Sequence, residues 1–339
     1  MVSLDAVLAS NGRIATELPA GLVAVFVGAT SGIGETSLKH FVKHAKQPRI
    51  YFTGRSDAAA ERIKPELKSL NPDGEYIFLK YDTSLLKNVD QACRDIKDKE
   101  STINLLFISA GTLVTGTKTQ EGLHFFAALT YYSRVRFILN LLPLIQGASS
   151  LRRVVSVFAG SKEGQMFTDD FQGNKISMSS GRGHFTSMIT LSLEAIARDA
   201  PSVSFIHNYP GFVETSLGRD AKGPAMAVAK VVFKVIGPFV NTPLDEVGER
   251  HTFFSTSARF PPASGEPRAD GVSLDNTVKV ATSTDGKTGG GVYSIDHKGE
   301  SCDRKALELL AGYRRNGSMD KLWKHTQDEF VRITQKLSI

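Results

Sequence analysis

Cysteine is scarce: Cys93 and Cys302 are the two in 339 residues, too few for a disulfide framework, so a reducing compartment is expected. Long apolar runs are scarce too. The longest late one, 225–240, is broken by Lys230, Lys234 and Pro238 and is too short to span a bilayer. The opening residues Met1-Val-Ser-Leu-Asp5 carry neither a basic region nor a long apolar core, so no secretory signal is expected and the cytoplasm is the expected location. Charge of one sign is barely in excess, with 41 Lys and Arg against 35 Asp and Glu leaving +6. Part of that surplus, Lys39, Lys43, Lys46 and Arg49, gathers where the first expected helix ends and cations suit its C-terminus. No nucleic-acid motif accompanies it, so no nucleic-acid partner is expected. Internal repeats and low-complexity tracts are lacking, which excludes solenoids and arrays.

What is present is alternation. Apolar runs at 22–28, 49–53, 76–81, 103–109, 153–158, 203–207 and 291–295 read as strands, and 32–45, 57–70, 85–98, 120–142 and 183–198 read as helices between them. This predicts an α/β fold: a Rossmann-like, doubly wound parallel sheet of about seven strands with helices on both faces, and ligands outside the carboxyl ends of the strands. The whole chain, 1–339, is expected to form one dinucleotide-binding domain. Within it 221–290, rich in Pro, Gly and Ser, reads as an irregular insertion or substrate lid. The apolar spacing of 225–237 suits an amphipathic cover over a greasy pocket, or ordinary packing on the sheet; attachment to a membrane surface would need more than its two lysines.

The most specific segment is Gly28-Ala-Thr-Ser-Gly-Ile-Gly34, directly behind Leu22-Val-Ala-Val-Phe-Val27 and ahead of helical spacing at Leu38, Phe41 and Val42. Gly28 permits a tight exit from the strand, and Gly32 and Gly34 let backbone approach a pyrophosphate and a helix pack closely on the sheet. Free amides around Thr30, Ser31 and Ile33 then face the anion. About twenty residues on, where an acid would bind the ribose hydroxyls of NAD, the chain gives Thr53-Gly-Arg-Ser56. Arg55 suits a 2′-phosphate, which predicts NADP(H), or it is a solvated arginine at a strand end. Asp82 could accept from an adenine amine, cap the following helix, or do both. Ser109-Ala110-Gly111 are small enough for a nucleotide to lie against the backbone.

On these motifs the chain resembles the short-chain dehydrogenase/reductase superfamily. Gly28, Gly32 and Gly34 match its Gly-x-x-x-Gly-x-Gly turn, Ile108-Ser-Ala-Gly111 is similar to its Asn-Asn-Ala-Gly element, and Pro210-Gly211 match the pair after its sixth strand. The stretches 121–143 and 320–324 look like the retinol-dehydrogenase-type branch, and degenerate members occur in fungal specialised metabolism. The resemblance spans roughly 20–217 and implies that Ile33 lies along the cofactor, that Pro210 and Gly211 border it, and that Thr215 binds its carboxamide. By analogy it also implies a homodimer or homotetramer.

The departures concern proton transfer. The family's Tyr-x-x-x-Lys pair falls on His184 and Met188, its Ser on Ala159 and its Asn on Thr130. Among the eight tyrosines, Tyr76 alone has a lysine four residues on, Lys80. In a strand that spacing spans about 13 Å against about 6 Å on a helix, so the two cannot meet. His184 is the first expected substitute, since imidazole can donate a proton near neutral pH; it is equally readable as a histidine hydrogen-bonded at a helix start. Tyr132, one helical turn from Arg136, is the second, the cation favouring a phenolate; the competing reading is a core aromatic. Ser161-Lys162 is a weaker third, explained adequately by loop polarity.

The expected function is NADP(H)-dependent reduction of a hydrophobic carbonyl or conjugated small molecule in specialised metabolism. Lacking the usual acid, the site favours strongly polarised acceptors. A non-redox isomerase or cyclase and an NADPH-sensing pseudoenzyme acting through a protein partner are the alternatives.

Overall fold

The structure, a computed structural model, describes residues 1–214, 241–265 and 271–339. Helix α1 (Leu4–Asn11) precedes strand β1 (Val23–Val27), after which α2 (Gly32–His44), β2 (Arg49–Gly54), α3 (Asp57–Leu70), β3 (Glu75–Lys80), α4 (Leu86–Lys97) and β4 (Leu105–Ile108) alternate. Then come α5 (Ser133–Gln146), β5 (Arg153–Val157), α6 (Met178–Asp199), β6 (Ser204–Asn208), α7 (Leu244–Thr256), β7 (Val292–Ile295), α8 (Arg304–Arg315) and α9 (Ser318–Thr334). The strands form one sheet in the order β3-β2-β1-β4-β5-β6-β7, every pairing parallel. The expected seven-stranded, doubly wound architecture is the one observed.

Every residue of β1, β4, β5, β6 and β7 is buried; β1 and β4 accordingly read as continuous apolar runs rather than alternating ones. Helices α1, α2, α3 and α7 contribute to the core on one face; α4, α5, α6, α8 and α9 contribute to the other. Register aligns the strand ends: Val27 lies opposite both Thr53 and Ile108. The connection after β3 crosses to the far side of β1, so a crevice opens between the carboxyl ends of β1 and β4, the switch point where such sheets take ligands.

Two stretches differ from expectation. The long helix begins at Phe125 rather than Gln120 and passes through a π turn, Ala128–Tyr132, before α5. More consequentially, 244–256, inside the segment read as irregular, is the regular helix α7, buried from Val247 to Thr256. Its polar groups are matched one by one. Glu249 accepts from Asn11 Nδ2 (2.6 Å) and faces the imidazoles of His40 (3.0 Å) and His44 (3.0 Å); Arg250 pairs with Glu246 (2.7 Å), and His251 Nε2 meets Asn208 Oδ1 (2.8 Å). Gly248 belongs there because a Cβ would stand 2.1 Å from the His40 ring. The expected cover, 225–237, and Thr215 lie outside the described residues.

Candidate cofactor and active site

At the end of β1 the chain turns through Gly28 (φ +82°), whose N–H donates to Thr53 Oγ1 at 3.2 Å. A Cβ on Gly28 would lie 2.6 Å from the Ala110 backbone, and one on Gly34 would lie 2.4 Å from both Gly28 O and Ser109 Oγ. Glycine is therefore required by contact with the end of β4, and at Gly28 also by the left-handed backbone. Ser109 locks the same junction, its hydroxyl 3.3 Å from the carbonyls of Val27 and Gly28. Gly32 opens α2, with Ser31 at its N-cap position and Ile33 half-buried beside it. This is a backbone cradle at a helix N-terminus, suited to a diphosphate.

The flanks fit a dinucleotide. Thr30 packs where a Cβ on Gly54 would stand, 2.3 Å from its methyl, which places the β2 end beside the turn. Arg55 follows, exposed, with no hydrogen bond or ion pair among the described residues. Nearby Glu35 would oppose a phosphate, but it is neutralised by Arg62 (2.6 and 2.7 Å) and Lys39 (2.6 Å). Burial pushes its carboxyl up, yet the hydrogen bonds and charges of Arg62 and Lys39 outweigh that and hold it below its ordinary value. Asp82 accepts from Ser84 N–H at 3.0 Å, a tight turn ahead of α4 rather than the expected cap; the N-cap residue is Leu85, and the first helix amides, Leu86 and Lys87 N–H, donate to Glu121 (2.6 and 3.0 Å). Ala110 O accepts from Arg134 at 2.6 Å, and Gly111, Pro210 and Gly211 (φ +84°) are half-buried at neighbouring strand ends.

The two expected proton donors are committed elsewhere. His184 is buried; its Nδ1 accepts from Phe167 N–H (3.1 Å) and its Nε2 donates to Phe171 O (3.2 Å). Both ring nitrogens thus hold the loop between β5 and α6, and burial pushes the imidazole pKa down. The Tyr132 phenol meets His325 Nε2 at 2.7 Å on α9, and burial pushes its pKa well up. Arg136 does not assist it: the guanidinium grips both Asp90 oxygens (2.6 and 2.8 Å) and the carbonyls of Lys336 (2.9 Å) and Leu337 (2.5 Å). Tyr132 and Arg136 are core anchors for α4 and the C-terminus, and His184 is a loop anchor.

Between these anchors lies a polar floor that sequence reasoning missed. Buried Arg134 donates to Ile108 O (3.0 Å), Ser156 Oγ (2.9 Å) and Ala110 O, tying β4 to β5, and burial pushes its pKa down to about 9. His207 accepts from Ala159 N–H (3.3 Å) and shares a 2.8 Å bond with Thr190, which donates to Glu163 (2.8 Å). Burial, then the charge of Arg134, drives His207 down to about 3, so it is neutral. Burial raises Glu163, whose Oε2 has no partner.

A family model described as short chain dehydrogenase matches residues 22–148. The chain is 38% identical to the oxidoreductase andH of Emericella variicolor, covering 92% of each chain, and 37% identical to the NmrA-like family domain-containing oxidoreductase notO of an Aspergillus species, covering 98% of this chain and 96% of the relative. This chain is an oxidoreductase of the short-chain dehydrogenase/reductase superfamily. Its fold is shared with L-sorbose reductase from Gluconobacter frateurii, solved with NADPH and L-sorbose, at a TM-score of 0.54 and 16% identity over 77% of this chain and 97% of that one.

Membership makes the cofactor a nicotinamide dinucleotide, and the glycine cradle fits one. Thr130, Ala159, His184 and Met188, which the resemblance sets against the family's proton-transfer residues, are all buried. Among the described residues one trio converges tightly enough for a metal ion, His40, His44 and Glu249, with donor atoms within 4.8 Å of one another. Asn11 and Lys43 (3.4 Å) also reach that carboxylate, so the oxygens are already engaged and the trio acts as a pin between α2 and α7. No helix among the described residues is long and apolar enough to cross a membrane.

Proposed function

We propose that this dehydrogenase/reductase uses NADP(H) and reduces a hydrophobic carbonyl or conjugated small molecule in fungal specialised metabolism. The observation that carries the cofactor choice is Arg55: an exposed, unpaired guanidinium at the β2 end, beside Thr30 of the glycine turn and with Glu35 neutralised. A ribose 2′-phosphate there gains a charge-assisted partner, whereas the ribose hydroxyls of NAD find no carboxylate at that position. Gly28, Thr30, Ser31, Gly32, Ile33 and Gly34 would hold the diphosphate, Asp82 the adenine side, and Ser109, Ala110, Gly111, Pro210, Gly211 and Thr215 the nicotinamide side. When bound, the nicotinamide supplies hydride. The fungal oxidoreductase relatives support the metabolic setting, and the replaced acid supports a polarised acceptor, whose developing charge needs less help.

Calorimetric titration with NADPH and NADH, repeated on Arg55→Ala, tests this. Micromolar NADPH binding that weakens in the variant, with NADH much poorer, is expected; equal affinity for the two nucleotides would refute the NADP(H) choice.

A further inference from the structure

With His184 and Tyr132 committed, the remaining hydroxyls decide where an acid could stand. Seven of the eight tyrosines use theirs in hydrogen bonds: Tyr51 with Glu100, Tyr76 with Asn71, Tyr81 with Asp95, Tyr131 with Ser192 and Thr326, Tyr132 with His325, Tyr293 with Pro261 and Tyr313 with Gly164. The hydroxyl of Tyr209 has no hydrogen bond among the described residues. Tyr209 is half-buried, directly after β6 and directly before Pro210-Gly211, on the side of the sheet where ligands bind. Lys162 Nζ lies over its ring, 5.8 Å from the centroid. The backbone that carries this lysine is fixed: Ser161 takes a left-handed conformation (φ +66°) and is held there by its N–H to Ser294 Oγ at 2.7 Å, while Lys162 N–H closes a turn onto Ala159 O at 3.0 Å.

We propose that Tyr209 is the proton donor of this enzyme and Lys162 the cation that steadies its phenolate, a Tyr–Lys pair assembled across the ends of β5 and β6 instead of along one helix. A half-buried phenol is a poor acid unless a cation stabilises the anion it leaves, and a cation over the ring face does so because the phenolate ring carries more negative charge. The Arg182 charge acts in the same sense, opposing the rise that burial imposes on Tyr209. The assigned step is proton transfer alone. As the carbonyl carbon gains hydride from a dihydronicotinamide, which is thereby oxidised by two electrons, the carbonyl π pair moves to oxygen and takes the Tyr209 proton. The O–H pair stays on Tyr209 as phenolate, which solvent reprotonates.

The inference rests on NADP(H) binding at the glycine turn, so the test reads the phenol and the nucleotide separately. The full chain and its Tyr209→Phe and Lys162→Met variants are titrated from neutral to alkaline pH by phenolate absorbance, titrated calorimetrically with NADPH, and assayed with NADPH and phenanthrenequinone. The expected results are a higher phenol midpoint in Lys162→Met, seen as the difference from Tyr209→Phe, and a kcat about 10²-fold lower in Tyr209→Phe with NADPH affinity unchanged. Wild-type kcat in Tyr209→Phe, or a midpoint indifferent to Lys162→Met, would overturn the assignment. Absent NADPH binding in wild type would defeat the cofactor reading instead, leaving the phenol titration to decide whether the two residues are coupled.

Discussion

Between β1 and β4 the chain closes by backbone contact, and beyond β5 it closes by polar side chains. In the first region Gly28 and Gly34 meet Ala110 and Ser109 at distances no side chain would tolerate, so one residue type is dictated at each position. In the second, Arg134, His207, Thr190 and Glu163 interlock through partners 17 to 48 residues apart in sequence, and many residue types could fill each place. The family model, residues 22–148, takes in the whole first region and, of the second region's four residues, Arg134 alone. A site whose geometry is carried by backbone keeps a recognisable sequence; one carried by side-chain pairs can be rewired while the sheet stays intact.

The sharpest way to break the second kind of closure is Glu249→Ala. This carboxylate, 4% exposed, gathers Asn11, His40, His44 and Lys43, and its loss should cost about 3–5 kcal/mol, as removing one member of a buried charge cluster does; chemical denaturation measures it. The cluster also predicts pH dependence. Burial alone would raise Glu249, but the hydrogen bonds of His40, His44 and Asn11 prevail and hold it far below its ordinary value. Its stabilisation is therefore complete above the unfolded carboxylate pKa of about 4.3 and is lost as pH falls below that. The gap in stability between wild type and Glu249→Gln should accordingly narrow in acid.

The matching test of backbone closure is Gly34→Ala. Its Cβ must displace Gly28 O or Ser109 Oγ, costing about 1–3 kcal/mol of strain and weakening NADPH binding by about 10²-fold, measured by calorimetry. Arg55→Ala is smaller. NADPH affinity should fall about tenfold, the worth of roughly 1.4 kcal/mol, with NADH affinity unchanged. Smallest on turnover is His184→Asn. Losing the bridge between Phe167 and Phe171 should lower stability by about 1–3 kcal/mol while kcat per folded molecule stays within about twofold, because the imidazole has no free nitrogen to donate from.

What was legible follows the same division. All seven strands were readable from short apolar stretches between turns, most nearly continuous in β1 and β4, which are buried on both faces, and the glycine turn because its φ values and contacts exclude side chains. Helix α7 was not: Glu249, Arg250, His251 and Thr252 are buried on it, and for Glu249 and His251 the groups that satisfy the burial, Asn11, His40 and Asn208, are distant in sequence. His184 and Tyr132 were placed in the right elements but given the wrong work, since position on a helix does not reveal which backbone groups or C-terminal residues a side chain will meet. Tyr209 was passed over because its lysine is 47 residues away in sequence rather than four.

The most direct measurement is transfer from NADPH stereospecifically deuterated at C4 of the nicotinamide to phenanthrenequinone by the wild-type protein. Loss of label from one face alone, with NADH a much poorer donor, is the predicted result. Label retained from both faces, in a protein that binds NADPH, would contradict the account by leaving the cradle occupied and the hydride idle.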